Sequence, residues 1–226
     1  MTREEFLKIF PGLIERYRPA KEEVLKLENV DLLMIIGPSG VGKTTIIKAM
    51  DVPYVVADTT RYPREEEVDG VDYHFRADYE QIISEIQRGL FVNTAVGPNG
   101  DFYATRSAAY PVSGAAVYAI VADVIPYFRK LGFGKTIGAF IMPPSFEEWM
   151  RRMEDHHLSS DQLKGRLAEA RRSLTFGLED KDVNFILNDD VSKAVSQVKN
   201  LLDGKIDHKR EDLARKAAQE SLSRIS

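Results

Sequence analysis

The chain contains no cysteine. That excludes disulfides, zinc–thiolate centres and thiol nucleophiles together. Histidine occurs four times and tryptophan once in 226 residues, so an imidazole-rich metal centre has little to draw on. No apolar run approaches the roughly 20 residues that a membrane-spanning helix needs. The first residues, Met1-Thr2-Arg3-Glu4-Glu5, place acidic groups where a signal peptide carries a basic region and an apolar stretch. An excess of positive charge is missing too, since the formal net charge is -4, and a dedicated nucleic-acid binder carries a basic footprint. The expectation is a cytoplasmic protein with neither nucleic acid nor membrane as partner.

What is present is a globular composition, 43% hydrophobic and 29% charged, in a chain long enough to bury one ordinary core. Apolar positions Phe6, Ile9, Phe10, Leu13, Ile14 and Tyr17 recur at helical spacing. They predict one or two short helices over 1–30, interrupted at Pro11. From Asp31 the pattern changes to short continuous apolar runs: Leu32 to Ile36, Tyr54-Val55-Val56, Val117 to Ala122, Ile137 to Met142, and Phe185-Ile186-Leu187. Such runs suit strands buried on both faces. Helical stretches lie between them, over 43–50, 158–174 and 191–202, and Ser145-Phe146-Glu147-Glu148 has the Ser-x-x-Glu pattern of a helix start. Strand and helix in alternation predict an α/β fold, a parallel sheet flanked by helices. Residues 59–109 depart from the alternation. There, 91–96 and 102–105 flank Gly97-Pro98-Asn99-Gly100-Asp101 and predict a β-hairpin. The region reads as an inserted mixed α/β subdomain. Residues 203–226 alternate in charge and read as a solvated helix or tail.

The sharpest feature is Gly37-Pro38-Ser39-Gly40-Val41-Gly42-Lys43-Thr44, a full G-x-x-x-x-G-K-[ST] phosphate loop between a predicted strand and a predicted helix. The glycines let successive backbone N–H groups turn toward phosphate oxygens, Lys43 reaches the outer phosphates, and the Thr44 hydroxyl suits magnesium. With Thr45 these residues form the expected site for ATP and Mg2+. An acidic partner for the metal is sought at the carboxyl edge of a strand. Asp123 is the first candidate and Asp58 the second. A second anion site is suggested by Thr59-Thr60-Arg61-Tyr62-Pro63-Arg64, in which two arginines flank an extended Pro segment. Arginine suits bidentate phosphate binding, although these two could equally pair with the acidic run Glu65-Glu66-Glu67.

The phosphate loop followed by Thr-Thr-Arg-x-Pro-Arg-x-x-Glu-x-x-Gly-x-Asp-Tyr-x-Phe resembles the guanylate kinase family. The similarity continues in Phe102-Tyr103-Ala104-Thr105, Met142-Pro143-Pro144-Ser145, Arg166-Leu167 and Leu187-Asn188-Asp189-Asp190, covering about 31–202. It implies a P-loop kinase fold with an acceptor-binding insertion at about 59–109 and a helical lid at about 151–166. It also implies ATP at the phosphate loop and a nucleoside monophosphate as acceptor, with the insertion and lid closing over them. By resemblance Arg61, Arg64 and Tyr73 hold the acceptor phosphate, with Glu67 and Tyr103 beside them. Thr105 touches the base, Arg166 contacts the transferring phosphate, and Asn188 lies near the adenine.

Four positions depart from the family pattern. Ala57-Asp58 replace hydroxyl residues. Asn93 stands where the family reads guanine with a glutamate. The Asp-x-Asp at a strand end becomes Ile120-Val121-Ala122-Asp123. The lid's Gly-Arg-Gly becomes Asp155-His156-His157-Leu158. Three readings follow: a guanylate kinase; a phosphokinase for another phosphorylated acceptor such as ribose 1,5-bisphosphate; and a nucleotide-binding interaction protein that has lost turnover.

Overall fold

A computed structural model describes residues 1–97, 100–154 and 159–225. In chain order the elements are α1 (Arg3–Ile14), α2 (Lys21–Leu25), β1 (Val30–Ile36), α3 (Lys43–Lys48), β2 (Ala57–Thr59), β3 (Tyr73–Phe75) and α4 (Tyr79–Gln87). They continue with β4 (Asn93–Val96), β5 (Phe102–Thr105), β6 (Gly114–Ala119), α5 (Ile125–Phe128), β7 (Lys135–Met142) and α6 (Phe146–Glu154). The last are α7 (Ser160–Glu179), β8 (Val183–Leu187), α8 (Val191–Leu202) and α9 (His208–Arg224). They fall into two compact units. One comprises Met1–Val30, Pro53–Ala116 and Leu131–Gly134, the other Asp31–Val52, Val117–Lys130 and Lys135–Ser226.

The second unit is the expected α/β layer. Its sheet runs β6-β1-β7-β8. β1 and β7 pair in parallel from Asp31↔Lys135 to Ile36↔Phe140, and β7 and β8 from Gly138↔Val183 to Met142↔Leu187. All of β1 except Asp31 is buried, as a strand covered by helices on both faces must be. The charged C-terminal segment is a helix, not a tail. Asp207 caps α9 by accepting from Arg210 N, and the small residues Ala214, Ala217, Ala218 and Ser221 form its buried face. That stripe lets α9 lie close on β8 and α7, with the Arg215 guanidinium 4.4 Å over the Phe185 ring.

The first unit is built on a second sheet in the order β3-β2-β5-β4. β4 and β5 form the expected antiparallel hairpin, with Asn93↔Thr105 through Val96↔Phe102 in register. Its turn residues Pro98 and Asn99 lie outside the described residues. Because side chains alternate across a sheet, the register sorts the strands into two faces. Ala57, Thr59, Tyr73, Phe75, Asn93, Ala95, Tyr103 and Thr105 share one; Asp58, His74, Thr94, Phe102 and Ala104 share the other. The second face meets helices. Phe102 and Ala104 join Phe6, Phe10, Tyr17, Ile82, Ile86 and Phe91 in one buried cluster, so the N-terminal residues belong to the core of this unit.

Two expectations are corrected. Pro11 does not interrupt the first helix, which runs through it. It removes a single bond, to the Leu7 carbonyl, one turn from the end, while Phe6 and Phe10 anchor the helix face to Phe102. Tyr54-Val55-Val56 adds no strand to the parallel sheet. The strand begins at Ala57 and pairs in the other sheet, and Pro53 before the run lacks the N–H a ladder needs.

Phe10 is fully buried and packs on Phe6 and Phe102 at 4.9 and 5.6 Å between ring centroids. Phe10→Ala should therefore destabilise the protein by about 3–5 kcal/mol, read from the chemical-denaturation midpoint. A loss under about 0.5 kcal/mol, the scale of a surface change, would show that the segment is dispensable.

Candidate functional site

In the second unit the loop from β1 to α3 has Gly37, Gly40 and Gly42 at φ of 136°, 80° and 95°, a region that favours glycine. Space demands glycine as well. A Cβ on Gly40 would stand 2.7 Å from Met153 Sδ, and one on Gly42 2.4 Å from Asn188 Nδ2. Neighbours hold the loop through its carbonyls. Trp149 Nε1 donates to Ser39 O at 2.8 Å, Asn188 Nδ2 to Val41 O at 2.8 Å, and Lys43 Nζ to Gly37 O and Pro38 O at 2.5 and 2.7 Å. Arg166 on α7 donates to the Ser39 hydroxyl. This is a cradle with no room for a side chain, lined by a lysine and an arginine, and it fits a polyphosphate.

Burial pushes the Lys43 ammonium down to about 8; Glu169 opposes the shift and Arg166 adds to it. Thr44 and Thr45 are exposed at the start of α3. Asn188, matched by resemblance to a residue near adenine, also supports the loop. It is buried, and its Nδ2 donates to Val41 O, so it braces the loop. Asp123 does not end a strand. β6 stops at Ala119, and Asp123 is exposed in a 3-10 turn four residues on. Among the described residues no group of three His, Asp or Glu could hold a metal.

The helix start read at Ser145 is α6, Phe146–Glu154, but the sequence reading missed the part played by its Arg152. Ser145 Oγ accepts from Glu148 N at 3.2 Å and starts the helix. The Glu148 carboxylate forks to Arg151 and also takes Arg152 Nε at 2.7 Å, which holds its carboxyl down to about 2. Arg152 thereby turns to the loop, with Nη2 on Asn188 O at 3.0 Å. The i, i+4 spacing of Glu148 and Arg152 was the available signal. The lid residues Asp155, His156, His157 and Leu158 lie outside the described residues.

In the first unit the two arginines differ. Arg61 is locked: Nη1 and Nη2 each meet Glu67 at 2.8 Å, Nε donates to Tyr103 OH at 3.2 Å, and Nη1 also reaches Tyr62 O. The guanidinium lies 5.1 Å over the Tyr73 ring. Burial works against ionising Glu67, but the Arg61 fork and the Arg64 backbone N–H hold its carboxyl below the usual range. Arg64 is exposed. Its N–H bonds Glu67 at 2.8 Å, while its guanidinium makes no hydrogen bond or ion pair with the described residues. Burial, then Tyr103, pushes the Tyr73 phenol up, so it stays a proton donor at neutral pH.

Asn93, Tyr103 and Thr105 share this face of the sheet with Ala57 and Tyr73. The Thr105 hydroxyl bonds Asn93 Oδ1 and lies 3.0 Å from Tyr110 OH. Asp58 is on the opposite face, where its Oδ2 takes Arg76 at 2.7 Å and Arg106 at 2.8 Å. It is an internal ion pair and no metal ligand.

A glycine-built phosphate cradle with an inward lysine, on a parallel α/β sheet, defines a P-loop nucleotide-binding protein; the second sheet adds an arginine-bearing face. The guanylate kinase family model matches residues 29–205. The chain is 33% identical over 182 residues to a guanylate kinase of Myxococcus xanthus, covering 76% of this chain and 85% of that protein. It is 32% identical over 181 residues to a guanylate kinase of Frankia casuarinae, covering 76% and 97%. In fold it is similar to the crystal structure of guanylate kinase from Anaplasma phagocytophilum, with a TM-score of 0.57 and 24% identity over 78% of this chain and 86% of that one. The chain belongs to the guanylate kinase family.

With Lys43 at about 8, ATP binding should weaken as pH rises through that value, because the protonated ammonium is the form that attracts phosphate. The ATP Kd should rise about tenfold between pH 7 and pH 9, and Lys43→Met should be flat over the same window. A wild-type Kd constant from pH 7 to 9 contradicts the assignment.

Proposed function

We propose that the chain is a nucleoside monophosphate kinase that transfers the γ-phosphoryl group of ATP to GMP, giving ADP and GDP. Family membership over 29–205, together with a phosphate loop kept complete from Gly37 to Thr44, carries the reading. It also sets aside the interaction protein, which, having lost turnover, would not require an intact catalytic lysine and loop. The relatives compared above bear the guanylate kinase name, and none points to a sugar bisphosphate as acceptor.

The chemistry is positioning and charge neutralisation. Lys43 neutralises the outer phosphates of ATP, and the loop N–H groups bind their oxygens. Magnesium bound with ATP would be held on the protein side by the Thr44 hydroxyl and would supply further positive charge to the phosphates. Arg166, already at Ser39, stabilises the charge of the transferred group. Arg64 brings an uncommitted guanidinium to the acceptor phosphate. Arg61 spends most of its donors on Glu67, Tyr103 and Tyr62, so it fixes the segment and lends its remaining N–H. The acceptor phosphate is an anion, so its attack needs no general base. The reading places the enzyme in the cytoplasm, where both nucleotides are available; no helix among the described residues is long and apolar enough to cross a membrane.

Lys43→Ala should lower turnover on the order of a thousandfold, measured as ADP formation with GMP; near-normal turnover would contradict the role of the loop. Arg64→Ala should raise the KM for GMP at least about tenfold, the scale of one lost charge-assisted hydrogen bond, and leave the ATP KM within about twofold. Equal losses for both nucleotides would mean that the segment only supports the fold.

A further inference from the structure

Asn93 is a buried polar side chain with half of its amide unused. Only 6% of the residue is exposed. Its Oδ1 accepts from the Thr105 hydroxyl, and no described residue takes the hydrogens of its Nδ2. The nitrogen is not sealed in, because the one enclosed side-chain atom without a partner among the described residues is Ser221 Oγ. A buried donor left without an acceptor is costly, and one that stays accessible is placed to meet a ligand.

The orientation of that amide follows from proton counting. Thr105 has a single hydroxyl proton and gives it to Asn93. The 3.0 Å contact between the Thr105 and Tyr110 oxygens is then donated by Tyr110. The relay Tyr110 → Thr105 → Asn93 turns the Asn93 carbonyl toward Thr105 and leaves its N–H2 group facing away. Tyr110 is itself held with its ring 5.3 Å from Phe133. Asn93 and Thr105 sit two residues along the same sheet face from Ala95 and Tyr103. Along the strands their backbone positions lie about 7 Å from that of Tyr103, whose hydroxyl accepts from Arg61. This is the scale of the ribose that separates a 5′-phosphate from its base.

We infer that Asn93, oriented by Tyr110 through Thr105, reads the lactam edge of a 6-oxopurine, so that the acceptors of this enzyme are 6-oxopurine nucleoside monophosphates as a class, IMP as well as GMP. Nδ2 donates to O6, and the second lone pair of Oδ1 accepts from N1–H. The 2-amino group, which alone separates guanine from hypoxanthine, meets no acceptor on Asn93 in this pairing. A carboxylate at this position would accept from N1–H and from the 2-amino group together and would separate the two bases. Adenine presents a 6-amino donor against the Asn93 donor and is rejected. Tyr110 acts here as a positioning residue. The inference rests on the kinase reading above and adds the substrate class.

The test is steady-state kinetics of the full chain with ATP and magnesium and with GMP, IMP or AMP as acceptor. For the wild type, kcat/KM for IMP should lie within about tenfold of that for GMP, and AMP should fall at least about a hundredfold lower. Asn93→Glu should raise the ratio of GMP to IMP about tenfold or more, the value of a restored bidentate contact to a base. Tyr110→Phe keeps the ring and removes the donor. It should weaken the exclusion of AMP relative to GMP about tenfold, a ratio that a purely structural role would not move. A wild type that uses GMP but discriminates against IMP by more than tenfold overturns the inference and leaves the kinase reading standing. A wild type that phosphorylates none of the three overturns both. Unchanged AMP exclusion in Tyr110→Phe overturns the role of Tyr110.

Discussion

A backbone loop that turns its N–H groups inward to meet phosphate must turn carbonyls outward, and each of those needs a donor. The site on the parallel sheet follows from this. Four carbonyls of the loop, those of Gly37, Pro38, Ser39 and Val41, are taken by Lys43, Trp149 and Asn188. The donors come from three places in the chain: the helix that follows the loop, α6, and the end of β8. The strands and helices of this unit can be understood as the frame that brings them there. Arg210 at the start of α9 extends the frame by donating to Leu187 O and Asp189, either side of Asn188. A segment beyond the family match of 29–205 thus helps to hold the phosphate loop.

The acceptor side obeys a different constraint, the alternation of faces in a sheet. Once the register of β2, β3, β4 and β5 is set, the departures from the family pattern separate. Ala57 and Asn93 fall on the face that carries Tyr73, Tyr103 and Thr105, while Asp58 falls on the back and pairs with Arg76 and Arg106. Glu85 joins the same ionic cluster, taking Arg106 at 2.7 Å. The first pair shares the face of the two tyrosines, and the second is internal to the fold. The face itself needs a buried support, and the Phe6, Phe10, Phe91 and Phe102 cluster provides it. Here too a segment outside the family match does structural work, since Arg3 bonds the Thr60 carbonyl at 3.4 Å and lies over the Tyr62 ring.

Much of this was legible in the sequence, for reasons that differ by element. The phosphate loop is contiguous and built from backbone, so eight residues announce it. β1, β7 and β8 are apolar runs because both of their faces are covered. The hairpin is a local structure with a local turn signal. By contrast, the spacing of Phe6 and Phe10 gives the apolar face of α1 but says nothing of its partner, a strand almost a hundred residues away. Tyr54-Val55-Val56 has the composition of a buried strand and is buried in part, but beyond a single bridge at Tyr54 it forms no strand. Arg152 cannot be told from Arg151 by type; only the Glu148 carboxylate and the helix axis decide which of them meets the loop. Asn188 looks like a turn residue or a nucleotide contact, and nothing in the sequence shows that its amide also holds Val41 O. Asp123 sits at the end of an apolar run that outlasts its strand by three residues, so reading the run as strand misplaces the carboxylate.

The central claim is that one phosphoryl group passes from ATP, held by the loop at Gly37–Thr44, to GMP. Its most direct measurement is the fate of label from ATP carrying a radioactive γ-phosphate, incubated with the full chain, magnesium and GMP. The account predicts that label appears in the terminal phosphate of GDP in one-to-one proportion with the ADP formed. Label recovered as inorganic phosphate with GMP unchanged, or retained in ATP throughout, would contradict it.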